Sequence, residues 1–220
     1  MNAFHCHAAT VTARPGTRVL LARHGSTDAL GRRLTGRLPG VHLNADGCAQ
    51  ALRLAAELRG LPVSAIYSSP MERATETADP IAAAHGMKVR ILPALNEVDF
   101  GGWTGAAFQD LSRNLEWKTY NQSRSTAHIP GGESPAATRA RVARMLASLH
   151  KRHRGETIVG VTHAELVRYA VLLARDESLD EWHRIPVQPG AVVSLSCDEE
   201  RVFEEAFVVA HLQYRGLDEL

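Results

Sequence analysis

Lysine is scarce in this chain of 220 residues: only Lys88, Lys118 and Lys151 stand among its 25 basic residues. The bias reads as a codon preference, with arginine chemically required at only a few positions. Cysteine is equally scarce. Cys6, Cys48 and Cys197 are far apart, odd in number and form no C-x-x-C pair, which excludes a disulfide scaffold and fits a reducing cytoplasm. An excess of either charge is also missing: Lys and Arg number 25 against 24 Asp and Glu, for a net charge of +1 and a pI near 7.9. Nucleic acid and an anionic membrane are therefore not expected as main partners. No apolar run approaches the roughly 20 residues of a membrane span. Residues 1–16 lack the continuous apolar stretch of a secretory leader, so a cytoplasmic location is expected. Neither Gly-x-Ser-x-Gly nor Gly-x4-Gly-Lys-Ser/Thr occurs, which removes the warrant for a serine hydrolase or a P-loop enzyme. Asp, His and Asn do not cluster at the spacing of a metal phosphatase, so no metal and no cofactor are expected. His5-Cys6-His7 has no further ligand pattern beside it and reads as a solvated tail.

What is present is a globular composition, 45% apolar, in a chain long enough for one domain with a substantial core. Residues 1–17 are read as a flexible N-terminal extension and 18–220 as a single domain. Arg18–His24 forms a first strand, whose apolar run lacks the polar alternation of a half-exposed strand. Asn44 caps a helix whose apolar face is Ala51, Leu54, Ala55 and Leu58. Val63–Tyr67 is a second strand. Ser69 and Pro70 suit the cap and first turn of the next helix, which Pro80 should kink or split. Val89–Leu92 is a third strand, and a helix is expected from Ala106 to about Asn121. Val142, Met145, Leu146 and Leu149 mark a helix over 135–154. Thr157–Thr162 is a fourth strand, followed by a helix with Leu166, Tyr169, Ala170 and Leu173 on one face. Ala191–Cys197 and Val202–Val209 close the chain as strands. Strands alternating with helices predict a three-layer α/β/α sandwich with a mainly parallel sheet.

In such sheets ligands sit beyond the carboxyl ends of the strands. Arg23-His24-Gly25 and Thr162-His163 lie at two such ends, and the helix carrying Arg73 starts at a third. Histidine can be a neutral nucleophile at physiological pH, the arginine fork matches phosphate oxygens, and glycine admits a ligand close to the backbone. Four cationic or imidazole groups, Arg23, His24, Arg73 and His163, thus converge on one edge of the sheet.

The motifs around them fall in a specific order: Leu21-Ala22-Arg23-His24-Gly25 with Thr27; Leu43-Asn44-Ala45-Asp46-Gly47; Ser68-Ser69-Pro70-Met71-Glu72-Arg73-Ala74; Leu95-Asn96-Glu97 with Phe100-Gly101 and Trp103; Gly131-Gly132-Glu133-Ser134 with Arg141-Val142; and Val161-Thr162-His163. Over roughly 18–170 the chain resembles the histidine phosphatase superfamily, the phosphoglycerate mutase-like branch, and within it the phosphatase side. The resemblance implies that His24 becomes phosphorylated, that Arg23 and Arg73 bind the phosphate, and that a protonated His163 stabilises charge in the transition state. Glu97 is then the general acid and base, with Asp99 a competitor for that role. Thr27 and the Ala164 backbone N–H are expected on the phosphate, Thr35 and Gly36 on the substrate loop. Trp103 and Trp117 are read either as pocket mouth or as core. Dimers occur in the family, so a homodimer is compatible with the resemblance.

The chain also departs from the pattern. Ser26 replaces a common acidic residue, Leu30 stands near the place of a mutase asparagine, Thr104 replaces an acidic residue, and Ala164-Glu165 replaces a frequent glycine pair. Glu165 puts a negative charge near an anion site, without an evident reason. The segment Thr104–Leu111 does not resemble its mutase counterpart. The expected activity is therefore hydrolysis of a small phosphorylated metabolite, with a mutase-type transferase and a non-catalytic phosphate-binding regulator as the alternatives.

Overall fold

The computed structural model describes residues 16–198 and 201–208. The extension expected over 1–17 lies outside the described residues as far as 15, as do His5-Cys6-His7 and Val209; Thr17 already belongs to the first strand. Six strands form one sheet in the order β3-β2-β4-β1-β5-β6. These are β1 (Thr17–Arg23), β2 (Val63–Ser68), β3 (Val89–Ile91), β4 (Thr157–Thr162), β5 (Val192–Cys197) and β6 (Val202–Val208). The pairings β3-β2, β2-β4 and β4-β1 are parallel, while β5 runs antiparallel to both β1 and β6. The sheet is thus mainly parallel with an antiparallel edge.

The central strand β1 is buried on both faces, which is why its sequence runs apolar without alternation. Val19 and Leu21 pack on one side with α5 (Pro135–Arg152) and α6 (Ala164–Ala174). Leu20 and Ala22 pack on the other with α1 (Ala45–Leu58) and α2 (Glu72–Ala84). Each helix contributes one apolar stripe, as its 3.6-residue spacing requires. Asn44 caps α1 as expected: its side-chain oxygen accepts the Gly47 N–H at 2.9 Å, a contact worth about 1 kcal/mol.

Three expectations are corrected. Pro80 does not split α2, which runs unbroken through it; the lost N–H falls on one turn, while Ala74, Ala78, Ile81 and Ala82 hold the helix against the sheet. Ser69 does not cap α2, whose N-cap is Met71; its hydroxyl accepts the Met71 N–H at 3.3 Å, ahead of the helix, and also meets His163, as described below. The single helix expected over 106–121 is two, α3 (Phe108–Leu111) and α4 (Leu115–Gln122). Asn114 is the reason, because its side chain accepts the Trp117 N–H at 2.9 Å and restarts the helix.

Candidate active site

The carboxyl ends of β1 and β4 are held side by side, with Arg23 opposite Thr162 and the His24 N–H donating to the Thr162 carbonyl at 2.9 Å. His24 and His163 therefore meet, ring centroids 5.1 Å apart. The His24 Nδ1 lies 2.7 Å from the Gly25 carbonyl. A carbonyl only accepts, so this contact places the ring proton on Nδ1 and leaves the Nε2 lone pair bare. Arg73 Nε, which can only donate, points at that Nε2 from 3.2 Å. Burial, then Arg23 and Arg73, hold the His24 pKa well below its ordinary value. The loop that follows is fixed by backbone contact: a Cβ on Gly25 would sit 2.6 Å from the Gly47 carbonyl oxygen, and one on Gly47 would sit 2.1 Å from that of Ser26.

Arg73 is 1% exposed. Its Nη2 donates to the Gly36 carbonyl at 2.7 Å and lies 3.1 Å from His163 Nδ1. Arg23 donates from Nη1 to the Val187 carbonyl at 2.6 Å. Arg73 Nη1 and Arg23 Nε are buried and have no hydrogen-bond partner. Burial lowers both guanidinium pKa values, that of Arg23 to about 10. Buried cationic donors without partners are costly unless something anionic takes them. Arg23 and His24 thus line a pocket end suited to an oxyanion, with Arg73 and His163 buried against them.

His163 is arranged as a neutral ring. Arg73 cannot accept, so the His163 Nδ1 must carry the lone pair and its Nε2 the proton, donated to the Ser69 hydroxyl at 2.8 Å. Burial, followed by Arg73, His24 and Arg23, holds its pKa well below the ordinary value. Ser69 in turn donates to the Asn96 side-chain oxygen at 3.3 Å. Because the chain's own charges near His163 are positive, they favour the neutral ring.

Glu97 is 8% exposed and faces the same cavity. Burial first, and Glu165 second, push its pKa up to about 7. Its backbone is clamped. Arg37 Nε donates to the Glu97 carbonyl at 2.8 Å, and Arg141 Nη1 donates to the carbonyls of Ala94 and Asn96, both at 2.8 Å. Glu133 bridges the two arginines. Asp99 does not compete for Glu97's place: it pairs with Arg37 and accepts the Gly101 N–H.

The cavity measures about 270 Å³. Arg23, Thr27, Thr35, Gly36 and Ala164 line it together with His24 and Glu97, whereas Arg73 and His163 lie buried behind them. Trp103 belongs to the core and Trp117 to the cavity wall. The sequence reading did not single out Arg124, Arg168 and Trp182, which build the far wall. They explain Glu165. Its carboxylate turns to Arg124 with one oxygen and to Arg168, at 2.6 Å, with the other. These two ions hold its pKa down to about 2 despite burial. The one signal in the sequence was the spacing of Glu165 and Arg168, three residues apart on one helical face. Arg124 comes from the irregular 123–134 segment, where periodicity carries no information.

Among the described residues no helix is long and apolar enough to cross a membrane. Phosphoglycerate mutase-like protein 4 of Arabidopsis thaliana is 36% identical over 68% of this chain and 67% of its own. Phosphoserine phosphatase 1 of Hydrogenobacter thermophilus is 31% identical over 73% of this chain and 78% of its own. Among solved structures, YhfR of Bacillus stearothermophilus superposes with a TM-score of 0.80 at 25% identity, covering 86% of this chain and 95% of that one. The sequence profile of the histidine phosphatase superfamily, branch 1, matches residues 19–209, and the chain belongs to that family.

Proposed function

We propose that this chain hydrolyses small phosphomonoesters through a covalent phosphohistidine on His24. The observation that carries this reading is the contact of His24 Nδ1 with the Gly25 carbonyl at 2.7 Å, because it leaves Nε2 as the nucleophilic atom. The phosphate would take up the unpartnered donors Arg73 Nη1 and Arg23 Nε and the first N–H groups of α6 at Ala164. Nε2 then attacks phosphorus as the bond to the leaving oxygen breaks. Glu97 gives its proton to that oxygen. In the second half it takes a proton from the water that attacks phosphorus, and the P–N bond breaks to release inorganic phosphate and free His24. A pKa near 7 lets one carboxyl do both at neutral pH. His163 enters as a neutral ring. A phosphate dianion opposes the arginine charges that keep it neutral, so proton uptake by His163 is expected on binding.

The test is hydrolysis of p-nitrophenyl phosphate in excess EDTA by the wild type and by His24→Ala. The expected result is metal-independent activity that falls at least about 10³-fold in the variant, with an acid-labile phosphoryl label trapped only on the wild type. Equal rates in the two proteins, or loss of the parent's activity to EDTA, would overturn the reading.

A further inference from the structure

Beyond the phosphate end, the cavity wall is made by the buried Glu165, gripped between Arg124 and Arg168. The arrangement is tightly enclosed. The Arg124 guanidinium lies 3.7 Å from the Trp182 ring centre and 4.6 Å from that of Tyr120. Its Nη1 is taken by Glu165, while its Nε is buried without a hydrogen-bond partner. Arg168 donates from Nη1 to Glu165 and from Nε to the Ile185 carbonyl at 3.1 Å, so each fork of its guanidinium is already interrupted. Neighbouring contacts lock the wall: Trp182 donates to the Asn121 carbonyl at 3.2 Å, and Ser125 donates from its N–H and its hydroxyl to Asp180.

Two arginines on a cavity wall would ordinarily invite a second anionic group on the substrate. Here an anion of the chain itself holds that position. A ligand carboxylate arriving beside α6 would meet a like charge and two guanidinium groups that each already give Nη1 to it. Displacing Glu165 would strand a buried anion, which costs several kcal/mol. The persistence of that charge follows from its two ion pairs.

Building on the phosphatase reading, we propose that Glu165 is a built-in counter-ion that excludes short leaving groups carrying a carboxylate, so that the site selects phosphomonoesters whose alcohol is uncharged or cationic there. The selection works by repulsion, the second half of specificity beside attraction.

Matched substrate pairs test this. O-Phosphoethanolamine and O-phosphoserine differ by one carboxylate, and so do glycerol 3-phosphate and 3-phosphoglycerate in replacing CH₂OH. In the wild type, kcat/KM is expected to favour the carboxylate-free member of each pair by about tenfold or more. Glu165→Gln should narrow both ratios at least about fivefold. Arg168→Gln, which frees one oxygen of Glu165, should widen them. If Glu165→Gln fails to fold, the wild-type ratios and the partly exposed Arg168 position still decide. Ratios near one or inverted in the wild type overturn the proposal, as does narrowing in Arg168→Gln, which would mean that Arg168 binds the carboxylate. Esters too slow to turn over are read as competitive Ki values against p-nitrophenyl phosphate. Should p-nitrophenyl phosphate itself resist hydrolysis, the phosphatase reading fails. The same four esters titrated calorimetrically onto the wild type then decide the selectivity by Kd.

Discussion

Among the described residues two pairs of histidines are buried at opposite ends of the same central strands. His24 and His163 stand at the carboxyl ends of β1 and β4. His150 and His153 stand at the other end, beside the start of β1. Burial does not separate them, for all four are buried. Their company does. At the far end the Thr17 hydroxyl touches His150 Nδ1 at 3.0 Å, and His153 is held between the Tyr67 hydroxyl at 2.9 Å and Glu156 at 2.6 Å. Those partners are neutral hydroxyls and a carboxylate, and neither ring lines the substrate cavity. At the carboxyl end the Gly25 carbonyl and the Ser69 hydroxyl take one nitrogen of each ring, a guanidinium faces the other, donors are left to spare, and the cavity opens beside His24. A buried histidine becomes a candidate nucleophile through the charge and space around it, and not through burial.

Substitutions can break or sharpen this contrast. The largest effect is expected at His24, where alanine removes the proposed nucleophile; Tyr67→Phe at the opposite end should leave turnover unchanged. A loss of turnover in Tyr67→Phe would erase the distinction between the two ends. Next comes Glu97→Gln, expected to lower kcat by about 10²–10⁴-fold. In the wild type kcat/KM should fall above pH 7 as Glu97, whose pKa is about 7, loses its proton. A pH profile of Glu97→Gln that keeps the same alkaline limb would assign that limb to another group.

A second contrast lies between the two carboxylates of the cavity. Glu165 is held down to about 2 from an ordinary 4.5, so its stabilisation is present above 4.5 and lost as pH falls toward 2. Glu97 is raised from 4.5 to about 7, so its contribution is present below 4.5 and lost as pH rises through 7. Urea midpoints should therefore rise with pH between 2 and 4.5 in a way that Glu165→Gln removes. They should fall between 4.5 and 7 in a way that Glu97→Gln removes. At neutral pH, Glu165→Gln is expected to cost about 3–5 kcal/mol by unpairing buried arginines. The smallest effect is expected for Tyr67→Phe, about 1–2 kcal/mol of stability from the partner that His153 loses, read as a lower urea midpoint.

The strands and the residues at their ends were legible because period and position carry them. β1 reads as a doubly buried strand from Val19 to Ala22, and Arg23 and His24 follow it directly. The helix break at Asn114 was not legible, since an asparagine inside a run can cap a helix or simply ride on it. The protonation of His163 was not legible either. It depends on Arg73, distant in sequence, approaching Nδ1 with donors only. Glu165 read as an anomaly while its chain neighbours were the only context; Arg124, arriving from a loop without periodicity, turned it into a wall.

The backbone contact between Gly25 and Gly47 has a consequence for heredity. No side chain fits between the loop that carries the nucleophile and the start of α1. In a library of random variants scored by survival of activity, Gly47 would rank with His24 among the least replaceable positions, although it does not line the substrate cavity.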